Sequence, residues 1–182
     1  NEMTVRRVWA AGRTWEVGGS GYEPAGDYSV DGAATAPSPE LTALLAAAVL
    51  ASDARLQQSP DGWRIAGDPT EGAFLYAALP FGITAEKLAS SHPRVRENTF
   101  RSERKCMSVV CSHDGGRTLY AKGAPEVIIS KCDYIWENGR EIPLSPAKRA
   151  MLLEENKKMA KNAWRVLAVA EKGCVSFVKQ KN

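Results

Sequence analysis

The pattern of apolar and polar positions in the first part of the chain predicts extended segments followed by a helix. Residues 5–17 form two extended segments around a turn at Gly12, and the Gly-, Ser-, Pro- and Ala-rich residues 18–39 indicate a loop. Ser38 is a favoured N-cap and Pro39 suits the first helical position. The apolar residues that follow recur at the spacing of one helix face: Leu41, Leu44, Leu45 and Ala48.

Further along the chain, helix starts alternate with turn signals. Residues 59–62 have turn chemistry and residues 63–66 read as a short strand. Asp68 as N-cap and Pro69 at the first helical position predict a second helix, which ends at about Leu79. Residues 84–91 predict a third, shorter helix.

From Cys106 the period of the pattern changes to two. Residues 107–111 and 118–121 flank Asp114-Gly115-Gly116, which predicts a hairpin, and Asn138-Gly139 marks a second hairpin. Helices are expected to begin at Pro125 and at Ser145-Pro146, the latter reaching about Asn162. Residues 166–169 predict a buried strand.

These elements favour an α+β fold, with a mainly antiparallel twisted β-sheet flanked by helices. The tight strand-to-strand turns exclude a parallel sheet as the main element. We expect residues 1–172 to form a single domain. Residues 173–182 match no element and are expected to be a tail, disordered or not native to the domain.

Composition and charge limit the possible functions. The 182 residues are 44% hydrophobic and 25% charged, which is typical of a packed globular domain. The longest apolar stretch, residues 41–51, is about half the ~20 residues that a membrane span needs. A net charge of +3 without a clustered basic face argues against nucleic acid as a partner. The spacing of the four cysteines does not fit a zinc site.

The glycine run at residues 18–21 does not fit a phosphate-binding loop. Such a loop requires a lysine and a Ser/Thr directly after its last glycine, whereas Tyr22-Glu23-Pro24 follows here. A flexible connection is the favoured interpretation.

Two other runs each allow a structural and a functional interpretation. Gly67-Asp68-Pro69-Thr70-Glu71 contains the residues of a helix start with a capping box, but Glu71 could also accept a hydrogen bond from an adenine amino group. Lys122-Gly123-Ala124-Pro125-Glu126 is a strand end followed by a proline-led helix. It also places a lysine beside two small residues, against which a flat ring could lie closely.

Single residues between and after these runs also allow more than one interpretation. Phe100 could belong to the core or stack on a base. Lys105 and Met107 are two positions apart and would share a strand face beside it. Arg165 could extend from a strand start with its charge in water or bind phosphate through its forked donors.

In this order, the motifs resemble those of the nucleotide-binding domain of type II P-type cation-transporting ATPases, closest to the calcium-pump branch. The resemblance covers residues 1–170. It rests on Asn1-Glu2-Met3-Thr4-Val5, Gly21-Tyr22-Glu23-Pro24-Ala25-Gly26, the two runs above, Phe100 with Lys105-Cys106-Met107-Ser108-Val109, and Arg165-Val166-Leu167-Ala168. The first of these is similar to the segment that follows the family's phosphorylation motif.

The resemblance implies a role for each of nine residues in binding ATP or ADP. Phe100 would stack on adenine and Glu71 would contact the adenine edge. Lys105 and Lys122 would line the pocket and approach the ring and phosphates. Its walls would be Met107, Gly123 and Ala124, and Arg165 would reach the phosphates while Leu167 packs on the nucleoside.

One departure concerns the phosphate side of the site. Some family members carry an arginine two positions after the phenylalanine, where this chain has Ser102. Arg101 or Arg104 would then have to substitute for it.

The resemblance further implies that the chain is one domain of a larger cation pump. It would bind ATP, as Mg-ATP in the parent, and position the γ-phosphate for transfer to an aspartate on a phosphorylation domain. That domain and the actuator domain would be its partners, on the cytoplasmic side of a membrane that this domain does not contact. We expect a monomer that does not turn over ATP alone. The alternative is a non-catalytic protein-interaction domain in which both runs are only helix starts.

Overall fold

The computed structural model describes residues 3–19, 26–60, 62–161 and 164–174. Its helices are α1 (Pro39–Leu50), α2 (Pro69–Ala78), α3 (Ala85–Ser91), α4 (Pro125–Lys131) and α5 (Pro146–Ala160), with a 3-10 turn at Leu79–Phe81. Most of the run at residues 21–26 and all of residues 175–182 lie outside the described residues, as do residues 1 and 2.

The strands alternate with these helices along the chain. They are β1 (Arg7–Ala10), β2 (Arg13–Val17), β3 (Tyr28–Val30), β4 (Ala33–Ala34), β5 (Arg55–Ser59), β6 (Gly62–Ala66), β7 (Arg94–Arg101), β8 (Cys106–His113), β9 (Gly116–Gly123), β10 (Tyr134–Glu137), β11 (Arg140–Pro143) and β12 (Ala168–Cys174). The strand pairs of the described residues are all antiparallel. The predicted α+β class with antiparallel pairing is therefore confirmed.

The described strands are divided among four sheets. The main sheet has the order β12-β9-β8-β7, a second four-stranded sheet has the order β1-β2-β3-β4, and β5-β6 and β10-β11 are separate hairpins. The hairpin predicted around residues 114–116 is confirmed as β8-β9, and that at Asn138-Gly139 as β10-β11.

Helix α1 lies between the two larger sheets. With β1 and β2 it buries a cluster that includes Trp15, Leu41 and Leu45. Against the main sheet it buries a second cluster through Ala47, Leu50 and Ala51. The sequence predicted one apolar face for this helix, but the helix is buried on more than that face. A helix that is apolar on most sides is a buried helix, and α1 has a sheet to cover each side.

Predicted helix starts agree with the structure because their capping chemistry is local. The Ser38 hydroxyl accepts a hydrogen bond from the Leu41 amide, and the Ser145 hydroxyl accepts one from the Lys148 amide. The Asp68 carboxylate accepts from the amides of Thr70 and Glu71 at 2.7 and 3.3 Å. These bonds satisfy amides that the first helical turn leaves without a partner.

Several strands were not predicted. β3 and β4 lie in the segment interpreted as a loop, and both are very short. β5 has one strongly apolar residue, Leu56, and β7 is a largely exposed strand rich in charged residues. Neither has the alternation that marks a half-buried strand. β12 begins at Ala168, so the strand predicted for residues 166–169 was placed two residues too early.

In the part of the chain that the structure describes, no helix combines the length and apolar character needed to cross a bilayer.

We expect Asp68 to make the stability of the domain depend on pH. Although burial pushes the pKa of Asp68 upward, hydrogen bonds from Thr70 and Glu71 and the charge of Arg165 outweigh it and hold that pKa below its usual value. The stability that results is present above about pH 4, the ordinary pKa of an aspartate, and is lost as the pH falls through the lowered value.

Asp68→Asn keeps a good N-cap but removes this titration. Between neutral pH and about pH 3, the wild-type domain should lose about 0.3–1 kcal/mol more stability than the variant, because water screens this exposed carboxylate. Urea unfolding of both proteins across this range measures the difference. Parallel pH profiles would contradict the assignment.

Candidate functional site

The sequence-predicted residues gather at one end of the main sheet. The last row of this sheet takes one residue from each strand: Arg101, Cys106, Gly123 and Ala168. In the next row, Lys122 pairs with Met107 on one side and with Val169 on the other. Residues that are up to about seventy positions apart in sequence thus share two adjacent rows.

Phe100 lies in a bulge of the edge strand β7. Asn98 pairs with Ser108 and Arg101 pairs with Cys106, so Thr99 and Phe100 together face the single residue between them on β8. Bulges commonly turn a side chain out of the regular alternation. The Phe100 residue is 59% exposed. The interpretation of Phe100 as a core residue is therefore wrong, and its ring is accessible for stacking.

Lys122 is a buried lysine whose side chain points toward α1 and α2. Its ammonium group donates to the Ala51 carbonyl, to the Ser52 hydroxyl at 3.2 Å and to the Glu71 carboxylate at 2.5 Å. The three donors of a lysine are thereby used. Burial lowers the pKa of Lys122, and the adjacent Glu71 carboxylate opposes that shift.

Glu71 links the start of α2 to the end of α1. Its second carboxylate oxygen accepts hydrogen bonds from the amides of Asp53 and Ala54 at 2.7 and 3.0 Å. These bonds, with that from Lys122, differ from the capping box suggested by the sequence, in which Glu71 would reach back to Asp68. A carboxylate has about four acceptor positions. Three bonds therefore leave Glu71 one further position.

Lys105 differs from the prediction that it shares a strand face with Met107. It lies in the turn before β8 with a φ of 49°, whereas Met107 is buried in the cluster against α1. The Lys105 ammonium group is 3.8 Å from the Glu126 carboxylate, and both side chains are exposed, at 61% and 54%. An exposed cation with so long a contact is accessible to a phosphate.

Gly123 and Ala124 hold this turn in place. The Ala124 amide donates to the Lys105 carbonyl at 2.9 Å. A Cβ atom on Gly123 would lie 2.4 Å from that same carbonyl oxygen. The space above Gly123 is thus filled by the backbone of Lys105 and Cys106. The small residues permit a close approach, but the group that approaches is the protein's own chain and not the flat ring of the prediction.

Arg104 and Ser102 lie in the same turn as Lys105. The Arg104 guanidinium donates to the Thr99 carbonyl within the β7 bulge. This bond gives Arg104 a local role in supporting the bulge that carries Phe100. Arg101 is exposed at the end of β7. Of the two arginines considered as replacements at position 102, Arg104 is thus engaged with the bulge.

Arg165 and Leu167 lie directly before β12. Arg165 donates to the Thr70 hydroxyl at 3.0 Å, which brings it beside the start of α2. Leu167 precedes Ala168, the residue that pairs with Gly123. Both line a mainly apolar cavity of about 710 Å³ between β1, α1, α4, α5 and β12, whose described lining includes none of the other seven candidates. Arg165 and Leu167 are therefore the two candidates that border this cavity, and the other seven lie outside it.

Sequence reasoning missed three residues that support Lys122 and Glu71. These are Ser52, Asp53 and Arg94. The feature of the sequence that points to such supporting residues is the absence of a basic residue from the last turn of α1. Its terminal carbonyls, at the negative end of the helix dipole, must therefore find donors elsewhere in the fold. That argument predicts a need for cations but does not identify which ones.

Comparison with known families gives a consistent result. The sequence model described as P-type ATPase, cytoplasmic domain N, matches residues 40–180. The cation-transporting ATPase pma1 of Synechocystis is 36% identical over 94% of this chain, and a calcium-transporting ATPase of Bacillus subtilis is 32% identical over 93%. The calcium-transporting ATPase type 2C member 1 of Bos taurus is 31% identical over 98%.

The chain spans 19% of the length of each of these three relatives. The family match covers more than half of the chain and agrees with the motif order at the end of the main sheet. The resemblance predicted from those motifs is confirmed. The chain belongs to the P-type ATPase family and corresponds to its cytoplasmic domain N.

Proposed function

We propose that this domain binds ATP or ADP at the end of the main sheet. The observation that carries the proposal is the convergence of Phe100, Lys122 and Glu71. The bulge exposes Phe100 in the row that contains Lys122, and Lys122 holds the Glu71 carboxylate. An open aromatic ring and an ordered carboxylate acceptor at the same end of the sheet suit a purine that carries an amino group.

In this proposal, Phe100 and Glu71 act through groups that the structure leaves available. The adenine ring stacks on Phe100, and its amino group donates to the remaining acceptor position of Glu71. Lys122 contributes by fixing Glu71 and by placing a positive charge under the ring. Met107, Gly123 and Ala124 form the packed layer behind the site, with the backbone of Lys105 and Cys106 above Gly123. Leu167 packs on the nucleoside.

The phosphates then lie toward the exposed cations. Lys105 exchanges its long contact with Glu126 for a phosphate oxygen, and Arg165 and Arg101 provide forked donors. Few phosphate contacts are available, so binding is weak. Magnesium accompanies the nucleotide on its phosphates, and the described residues contain no group of three or more His, Cys, Asp or Glu suited to a metal.

We further propose that residues 1–172, with residues 173 and 174 that complete β12, form one domain of a cation pump. This domain delivers the γ-phosphate to an aspartate of a separate phosphorylation domain. Positioning supplies much of the catalysis of phosphoryl transfer. The domain therefore supplies binding and orientation and does not hydrolyse ATP by itself. The names of the relatives, which include calcium-transporting ATPases, favour cation transport by the parent. The family description, cytoplasmic domain N, supports a position of this domain on the cytoplasmic side of a membrane.

Thermal unfolding with and without ATP tests the proposal. A ligand at ten times its dissociation constant stabilises the folded state by about 1.4 kcal/mol, which raises Tm by roughly 3–6 °C in a chain of this size. Tripolyphosphate at the same concentration is the control for binding of anions in general. A protein-interaction domain predicts no shift with ATP, and an equal shift with both ligands would contradict a purine site.

A further inference from the structure

The turn that connects α1 to β5 is held by charged side chains from three other elements. This connecting turn comprises residues 51–54. Glu71 of α2 accepts from the amides of Asp53 and Ala54. Lys122 of β9 donates to the Ala51 carbonyl and the Ser52 hydroxyl. The two residues that the proposed function places at the adenine thus take most of their partners from this turn.

Arg94 of β7 is the third side chain. One guanidinium nitrogen donates to the carbonyls of Leu50 and Ser52 at 2.9 and 3.0 Å. The other contacts the carboxylates of Asp53 at 2.5 Å and Glu97 at 3.2 Å. The planar fork of an arginine presents two separate nitrogens, one to the two carbonyls and the other to a carboxylate. A lysine has a single nitrogen for all its partners. Arg94 thereby holds the turn through atoms that Lys122 and Glu71 do not use.

Arg94 is remote from the exposed ring. It opens β7, and Phe100 is six residues further along the strand, roughly 20 Å at the rise of an extended chain. An effect of Arg94 on a nucleotide stacked at Phe100 must therefore pass through other residues. The connecting turn provides the link. Arg94 and Lys122 both contact Ser52, and Arg94 and Glu71 both contact Asp53.

We propose that Arg94 is a positioning residue for the nucleotide site, acting through the connecting turn on Lys122 and Glu71. This inference rests on the proposed function. Without Arg94, the acceptors that hold Lys122 and the amides that hold Glu71 lose their common support. The ammonium group and the carboxylate then sample several positions, and the adenine edge meets a less ordered acceptor.

The test is the ATP affinity of Arg94→Ala and Arg94→Lys, measured by calorimetry at a temperature at which circular dichroism shows each protein folded. We expect affinity to fall roughly three- to tenfold in Arg94→Ala and by less in Arg94→Lys, which keeps the charge but loses the fork. The Lys122 side-chain 13C resonance should move in both variants before ATP is added.

Lys148→Ala is the matched control. Lys148 forms an ion pair with Glu137, also at 2.5 Å and also partly buried, between α5 and β10. It should lower stability without changing ATP affinity or the Lys122 resonance. Equal losses of affinity in the Arg94 and Lys148 variants would overturn the inference, since both would then reflect general destabilisation.

The remaining outcomes separate the inference from the proposed function. If the wild-type domain does not bind ATP, the proposed function fails and the inference fails with it. If the wild type binds ATP and Arg94→Ala binds equally well, only the inference is overturned. If Arg94→Ala does not fold, Arg94→Lys and Ser52→Ala decide, and both must bind ATP more weakly than Lys148→Ala.

Discussion

Replacing Glu71 with alanine should destabilise the domain by about 3–5 kcal/mol, the usual cost of removing one partner of a buried ion pair. The side chains of Lys122 and Glu71 are 8% and 15% exposed. Without the carboxylate, the ammonium group stays buried without its countercharge, and the amides of Asp53 and Ala54 lose their acceptor. Domains of this kind are stable by only about 5–15 kcal/mol, so the loss is a large share of the total.

Urea unfolding followed by circular dichroism measures this loss. Glu126→Ala is the matched control because it also removes a glutamate that faces a lysine, but at an exposed pair 3.8 Å apart. Such surface pairs contribute about 0–1 kcal/mol. Equal unfolding free energies for the two variants would show that the Lys122–Glu71 pair is not the buried link described above.

A double replacement separates the cost of leaving the Lys122 charge unpaired from the cost of losing the acceptor for the turn amides. Glu71→Leu combined with Lys122→Met removes both charges and keeps apolar volume, which is often close to neutral for a buried pair. We expect the double variant to be more stable than Glu71→Ala alone. A double variant as unstable as the single one would instead assign the loss mainly to the amides of the connecting turn.

Replacing Phe100 with alanine should weaken ATP binding without unfolding the domain. Base–aromatic stacking contributes about 1–3 kcal/mol, which corresponds to a loss of about five- to 150-fold in affinity. The ring is largely exposed, so its removal leaves the core clusters intact and the Tm without nucleotide close to that of the wild type.

One further exposed side chain makes the Phe100 experiment specific. Val95 also projects from β7 and is 49% exposed, so Val95→Ala controls for the loss of exposed apolar surface on this strand. It should bind ATP as the wild type does. Calorimetric titration compares the three proteins. An unchanged affinity in Phe100→Ala would contradict the stacking role, and a large fall in Tm without ligand would contradict the description of this ring as peripheral.

The fold could be predicted from the sequence where the determinants are local. Ser38, Asp68 and Ser145 start helices through bonds to amides two or three residues away, so a short window of sequence contains the whole cause. β7 could not be predicted in this way. It lies at an edge of the main sheet, where exposed charged residues are compatible with a strand and the apolar alternation is absent.

In the candidate site, too, some features follow from local sequence and others only from the fold. The motif order identified residues that the strand register then brings into adjacent rows. The ion pair of Lys122 with Glu71 joins positions 51 apart, and neither run alone indicates it. The interpretation of both runs as helix starts is correct as well, since α2 and α4 begin there. Tertiary packing adds the second role, which local patterns do not contain.

Binding of a nucleotide at the end of the main sheet can be followed residue by residue. The most direct measurement is a titration of the 15N-labelled domain with ATP up to about 10 mM, a range that covers the weak affinity expected. We predict saturable amide shifts around Phe100, Lys105 and Glu71 that tripolyphosphate alone does not reproduce. An absence of saturable shifts at these residues, or shifts confined to the cavity beside Arg165, would contradict the account.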